Sequence, residues 1–221
     1  MGMNHAYRHP GEVPATVPVF PIPGVLLLPR GDLPLNVFEP RYMAMVDDCL
    51  RSHRVIGMIQ PDFEAETAEP PALCPIGCAG RITQFAESGG GHFLISLTGI
   101  ARFKLVEELA VATPYRQFRV DFDPFLLDFS PRAGEDQVDR DGVLRTLRDF
   151  AETNQLRVDW SSINSAPNEA LVNALSMMSP CSPKEKQALL EARDLKKRAD
   201  VLVAITEIEL ARGKNISTQL H

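Results

Sequence analysis

The chain has 221 residues, 44% of them apolar and 24% charged, with a formal charge of −6. That balance is ordinary for a globular protein and excludes collagen-like, coiled-coil and extensively disordered classes. It also argues against nucleic acid as the partner, because a general binder presents surplus Lys and Arg to phosphate. Apolar runs such as Val25–Leu28 and Val201–Ile205 are far too short to span a membrane.

Residues 1–14 show no hydrophobic period and no apolar stretch of a secretory signal. A flexible tail and a cytoplasmic address are expected. Val17–Phe20 and Leu35–Phe38 then read as short strands. A helix is predicted from Pro40, which has no N–H to leave unpaired, with Glu39 at the positive end of its dipole. Tyr42, Val46, Cys49 and Leu50 share one face of it, and it ends near Ser52. Val55–Ile59 is another strand. The acidic stretch Asp62–Pro71 reads as a solvated connector. Arg81–Glu87 and His92–Leu97 bracket Ser88-Gly89-Gly90-Gly91, a hairpin. Ala101–Glu108 follows after Thr98-Gly99, and Gln117–Phe122 alternates strictly, as a half-buried antiparallel strand does. Many short strands at regular spacing favour a closed or nearly closed barrel.

Between Phe125 and Ala133 the apolar period changes from two to helical. Helices are predicted over about 136–153, 171–178, 183–192 and 194–211. Ser182-Pro183-Lys184-Glu185 is a capping box, and Gly213 is read as a stop. The expected fold is α+β: a tail over 1–14, a β-barrel with one inserted helix over 15–128, a helical bundle over 129–213 and a C-terminal tail over 214–221.

Motifs that carry chemistry are missing. There is no phosphate-cradling G-x-x-x-x-G-K-[ST], no G-x-S-x-G elbow, no H-E-x-x-H and no EF-hand loop. None of the six lysines reads as buried, and an activated Ser–Lys pair needs a desolvated one. Cys74 and Cys78 have no second ligand pair, so they are expected to be reduced and metal-free. The five histidines are scattered. No catalytic residue, metal or cofactor is expected.

The most distinctive stretch runs from Val25-Leu26-Leu27-Leu28-Pro29 through Leu33-Pro34-Leu35-Asn36-Val37-Phe38-Glu39-Pro40-Arg41-Tyr42. One reading is a proline-stiffened groove joining apolar side chains to a fixed charge pair, suited to a peptide, with Leu28, Leu35, Phe38, Glu39, Arg41 and Tyr42 as its contacts. In the other, Leu26, Leu28, Leu35 and Phe38 are core and Glu39 merely caps the helix. Composition favours the second, since large apolar side chains are usually buried.

Phe20-Pro21-Ile22-Pro23, then Leu33-Pro34-Leu35-Asn36-Val37-Phe38-Glu39-Pro40-Arg41-Tyr42, resembles the signature of the Lon protease N-terminal, substrate-binding domain. The resemblance continues through Ile56-Gly57-Met58, Ile76–Ile82 and Gly99–Phe103, and covers about Val17 to Ala211. It implies a PUA-like β pseudo-barrel followed by a C-terminal helical bundle. It also implies a stand-alone substrate-binding domain without the ATPase and Ser–Lys peptidase modules of full-length Lon. The expected function is non-catalytic recognition of unfolded or exposed apolar polypeptide, as an adaptor in protein quality control, with a Lon-type protease as a candidate partner. The alternatives are an RNA-binding PUA-like module and an orphan hydrolase using the Glu39/Arg41 region.

Overall fold

The structure is a computed structural model that describes residues 6–62 and 70–219, with side chains described up to residue 212. The acidic residues 63–69, with His5 and His221, lie outside the described residues. The chain divides into two units, Met1–Pro131 and Arg132–His221.

The first unit holds β1 (Thr16–Pro21), β2 (Asp32–Val37), α1 (Pro40–Leu50), β3 (Val55–Ile59), β4 (Ile76–Glu87), β5 (Phe93–Glu108) and β6 (Gln117–Asp121). Their order is β2-β5-β4-β3-β1-β6, and β6 also pairs with β5. That last pairing closes β1, β3, β4, β5 and β6 into a ring. β1 and β3 run parallel, and the other pairs are antiparallel. Inside lie Val17, Val19, Val55, Ala101 and the fully buried Phe103. Gly57 and Gly77 leave room for the Phe103 ring, against which a Cβ at either position would collide. Phe122 meets Phe103 edge to face at 6.3 Å and Phe129 at 6.0 Å, a favoured geometry for aromatic pairs.

β5 is one strand, where the sequence reading ended a strand at Leu97 and began another at Ala101. It absorbs the interruption through register shifts against β4 at Ala79/Gly80 and Ile82/Gln84, which bend a strand without ending it. Gly99 sits at that bend for a steric reason. Its amide donates to the Gly31 carbonyl at 2.9 Å and its carbonyl accepts from Arg30 N–H at 2.8 Å, while a Cβ would strike the Leu28 carbonyl. A Leu27 methyl also lies close over Gly80, where an added Cβ would come within 2.6 Å of it. The run Val25–Leu28 is thus laced across β4 and β5, with Leu26, Leu27 and Leu28 buried. Gly99→Ala is expected to cost about 2–3 kcal/mol, because backbone rather than a flexible side chain must move. Chemical denaturation would read this as a lowered midpoint.

A 3₁₀ segment, Asp123–Phe129, follows β6 and brings Asp128 onto Arg102 of β5. The carboxylate takes Arg102 Nε and Nη2, both at 2.8 Å, and the Arg102 backbone N–H at 2.9 Å. Both side chains are almost fully buried. The segment described of the expected tail is packed rather than loose. Val13 is buried in the barrel core with Tyr7 against it, and Tyr7 accepts a hydrogen bond from Arg81 Nη1 at 2.8 Å. Two anchors six residues apart make no readable period.

The second unit holds α2 (Arg140–Thr153), α3 (Trp160–Ser165), α4 (Asn168–Met178), α5 (Pro183–Glu191) and α6 (Leu195–Gln219). Asp139 caps α2 through Gly142 N–H at 3.0 Å. The capping box of α5 forms as its sequence requires. α3 is absent from the sequence reading because six residues with one inward apolar side chain, Ile163, carry no period. α6 continues past Gly213, through residues 214–219 of the expected tail, since glycine stops a helix only where the backbone turns left-handed.

Lys186 corrects the expectation that no lysine is buried. Its ammonium donates to the carbonyls of Ser176 at 2.9 Å and Met177 at 2.7 Å. These are late carbonyls of α4, where the helix dipole favours a cation. Burial lowers the Lys186 pKa. With carbonyl oxygens as its partners, it reads as a helix clamp.

Candidate functional site

β4 and β5 outrun the ring. Their far halves pair from Ile82↔Leu97 to Glu87↔Phe93, and β2 adds to the free side of β5 from Asp32↔Thr98 to Val37↔Phe93. The result is a three-stranded wing with β2 as its edge. The alternation of side chains assigns its faces. Rows Asn36–Leu94–Ala86 and Pro34–Ser96–Gln84 lie on one side. Row Leu35–Ile95–Phe85 lies on the other.

The wing is unusually apolar for a surface that faces water. Leu94 is 47% exposed, Phe85 39% and Phe38 59%. Phe38 follows β2 and its ring stands 5.9 Å from that of His92 at the start of β5. Phe85 meets Phe93 edge to face at 5.1 Å. A shallow depression crosses the three strands, lined by Pro34, Leu35, Phe85, Ala86, Leu94 and Ile95 among others. Large apolar side chains left exposed close together on one face mark interaction surfaces.

The six residues singled out in the sequence divide. Phe38 is at the surface and Leu35 is half-buried under the depression. Leu28, at 0% exposure, and Tyr42, at 5%, are core. The Tyr42 ring packs 4.3 Å from Phe20 of β1. Leu28 and Tyr42 therefore offer no surface to a peptide, because the close approach at Gly99 and the inner face of α1 consume them. Glu39 stands at the helix start but does not cap it with its side chain. Its carboxylate instead takes Arg41 Nη2 at 2.8 Å and Nε at 2.9 Å, while the guanidinium stacks 4.5 Å over Tyr42. Both partners are about half exposed, and exposed ion pairs contribute little. Glu39→Ala is expected to change stability by less than about 0.5 kcal/mol, checked by thermal melting. A loss near 1 kcal/mol would restore the capping role that the sequence suggested.

Leu94, Phe85 and Ala86 were not singled out. Their signal is a broken alternation: Phe93-Leu94-Ile95 is apolar at three successive positions, where a strand with one wet face places a polar residue in the middle.

Among the described residues, the titratable groups with shifted pKa values do not pair as an acid and a base. Tyr115 donates to Asp48 at 2.7 Å, and burial followed by that bond raises its pKa. Burial pushes the Cys49 thiol up to about 12, so its thiolate is scarce at neutral pH. All four cysteines are thiols rather than disulfides, with Cys49 and Cys78 buried. At pH 8 a thiol reagent is expected to label Cys74 and Cys181 while Cys49 reacts on the order of 100-fold more slowly until the protein unfolds, as peptide mapping would show. Among the described residues no three His, Cys, Asp or Glu gather as a metal site. None of the described helices is long and apolar enough to cross a membrane.

A barrel with a projecting apolar wing, followed in sequence by a helical unit, makes an α+β protein. The chain belongs to the ATP-dependent protease La (LON) substrate-binding domain family, whose model matches residues 16–207. It is 26% identical over 203 residues to Lon protease 2 of Myxococcus xanthus, spanning 88% of this chain and 24% of that protein. It is 25% identical over 203 residues to the Lon protease of Anaeromyxobacter dehalogenans, spanning 88% and 23%. The chain therefore spans about a quarter of the length of these curated relatives. Among solved structures it resembles a Lon N-terminal domain protein from Xanthomonas campestris, with TM-score 0.60 and 20% identity over 86% of this chain and 97% of the other. It also resembles the N-terminal domain of the Mycobacterium avium complex Lon protease, with TM-score 0.62 and 16% identity over 87% and 98%. These two likenesses establish the fold.

Proposed function

We propose that the protein is a non-catalytic recognition module that binds unfolded or exposed apolar polypeptide segments on the face of the wing that carries Leu94, together with Phe38 just beyond β2. The observation that carries this reading is the exposure of Leu94 at 47% and Phe38 at 59%, Leu94 on the face of the wing that also bears Asn36 and Ala86 and Phe38 directly after β2. Family membership supports the kind of ligand. The segment lies across the face of the wing rather than extending its edge. β2 carries Asp32 and Pro34, and a proline lacks the N–H that strand addition needs. Glu39 and Arg41 answer each other beside Phe38 and orient the rim.

In this reading the protein works in the cytoplasm as an adaptor for protein quality control, with a Lon-type protease as its partner. Binding is of micromolar order or weaker, because a disordered client loses entropy when it is ordered. It is also weakly salt-dependent, because the contacts are apolar. Fluorescence anisotropy with a labelled unfolded protein, a folded control and a single-stranded RNA, each at low and high salt, tests it. Selective, salt-tolerant binding of the unfolded protein is expected. Preference for RNA, or equal binding of the folded control, would end this reading.

A further inference from the structure

We infer that the helical unit carries an anchor pocket for one neutral apolar side chain of a bound polypeptide, of leucine, methionine or phenylalanine type. The inference rests on the polypeptide-recognition reading and adds a second point of attachment in a different unit. The pocket lies among α2, α4, α5 and α6, and its walls include Val143, Leu147, Phe150, Leu175, Leu202 and Ile205. Val143 and Leu202 form a buried floor, while Leu147, Phe150 and Ile205 keep part of their surface toward solvent.

Several polar groups that line the pocket are already bonded within the helical unit. Thr206 Oγ1 donates to the Leu202 carbonyl at 2.8 Å and Ser179 Oγ to the Leu175 carbonyl at 2.7 Å. Each hydroxyl is spent on its own helix and leaves carbon facing the pocket. The Glu185 carboxylate takes both the N–H and the hydroxyl of Ser182 at 2.8 Å. Burial raises the pKa of the Cys181 thiol and keeps it neutral. A ligand group that demanded hydrogen bonds here would lose its water without compensation.

Size and charge select the occupant. The cavity measures about 60 Å³, far below the roughly 300 Å³ or more of a site that encloses a whole small molecule. It suits the tip of one side chain whose backbone stays outside. Two carboxylates, Glu185 and Glu209, stand among the lining residues, and the bonds from Ser182 hold Glu185 below its ordinary pKa. They disfavour a segment with Asp or Glu next to the apolar residue and favour one flanked by Lys.

The test uses the full chain carrying Cys74→Ser, which leaves Cys181 as the accessible thiol beside the buried Cys49 and Cys78. The probes are acetylated, amidated pentapeptides Gly-Lys-Xaa-Lys-Gly with Xaa as Leu, Ala or Asp. The Leu peptide is expected to slow Cys181 alkylation by iodoacetamide at least fivefold at saturation, and the Ala and Asp peptides less than twofold. Thr206→Trp, which fills the pocket, should abolish that protection, while Phe38→Ser with Leu94→Thr should leave it intact. Equal protection by all three peptides, or full protection in Thr206→Trp, overturns the pocket. If Thr206→Trp does not fold, Leu147→Ala replaces it. The widened pocket should shift preference from the Leu to the Phe peptide at least threefold, and an unchanged preference overturns the inference. Anisotropy with the unfolded protein, run in parallel, separates the two ideas. Wing-dependent binding without Cys181 protection defeats the pocket alone, and protection without that binding defeats the wing alone.

Discussion

Asp128→Ala is expected to destabilise the protein by about 3–5 kcal/mol, because it leaves a guanidinium buried without the carboxylate that neutralises it. Asp128 accepts three hydrogen bonds from Arg102, two from the side chain and one from the backbone, and the guanidinium also lies 4.5 Å over the Phe125 ring. The pair helps to hold the 3₁₀ segment after β6, in which Phe129 meets Phe122 edge to face. Asp128→Asn keeps the shape and loses the charge, so it should fall between wild type and alanine. Urea denaturation followed by circular dichroism would measure the series. An alanine variant within about 1 kcal/mol of wild type would show that the pair contributes no more than an exposed one.

The second large effect is on binding rather than stability. Phe38→Ser combined with Leu94→Thr should weaken capture of unfolded polypeptide by about 30-fold, on the order of 2 kcal/mol, the scale at which an interface anchor counts as a hot spot. Stability should change by less than about 1 kcal/mol, because both side chains already face water. That separation identifies a surface residue whose work is done on a partner. A parallel loss of stability would show that these side chains hold the wing together instead.

Much of the fold was legible because local rules and tertiary structure agree. The alternation of Gln117–Phe122, the glycines at 89–91 and the capping box at Ser182 each led to the element found. The failures have physical causes. Gly99 looked like a break because a glycine in a strand is ambiguous between a turn and a close approach, and only the presence of Leu28 above it decides. Lys186 looked solvated because nothing local announces that the end of α4 arrives over it. The candidate surface was half legible. Phe38 and Leu35 lie in the motif that drew attention, yet the same motif supplies Leu28 and Tyr42 to the core. Conspicuous residues in this stretch serve packing as much as recognition. Leu94 reaches the site through strand pairing with β2 and β4, which residue types alone do not register.

The central claim is that polypeptide is bound on the wing. Site-specific photocrosslinking tests it most directly, with a benzophenone side chain placed in turn at Phe38, at Leu94 and at Lys104, an exposed position on the ring half of β5. With a labelled unfolded protein as the target, the account predicts crosslinks from positions 38 and 94 that an excess of unlabelled unfolded protein removes, and background labelling from position 104. Specific crosslinks from 104 with none from 38 and 94 would contradict it.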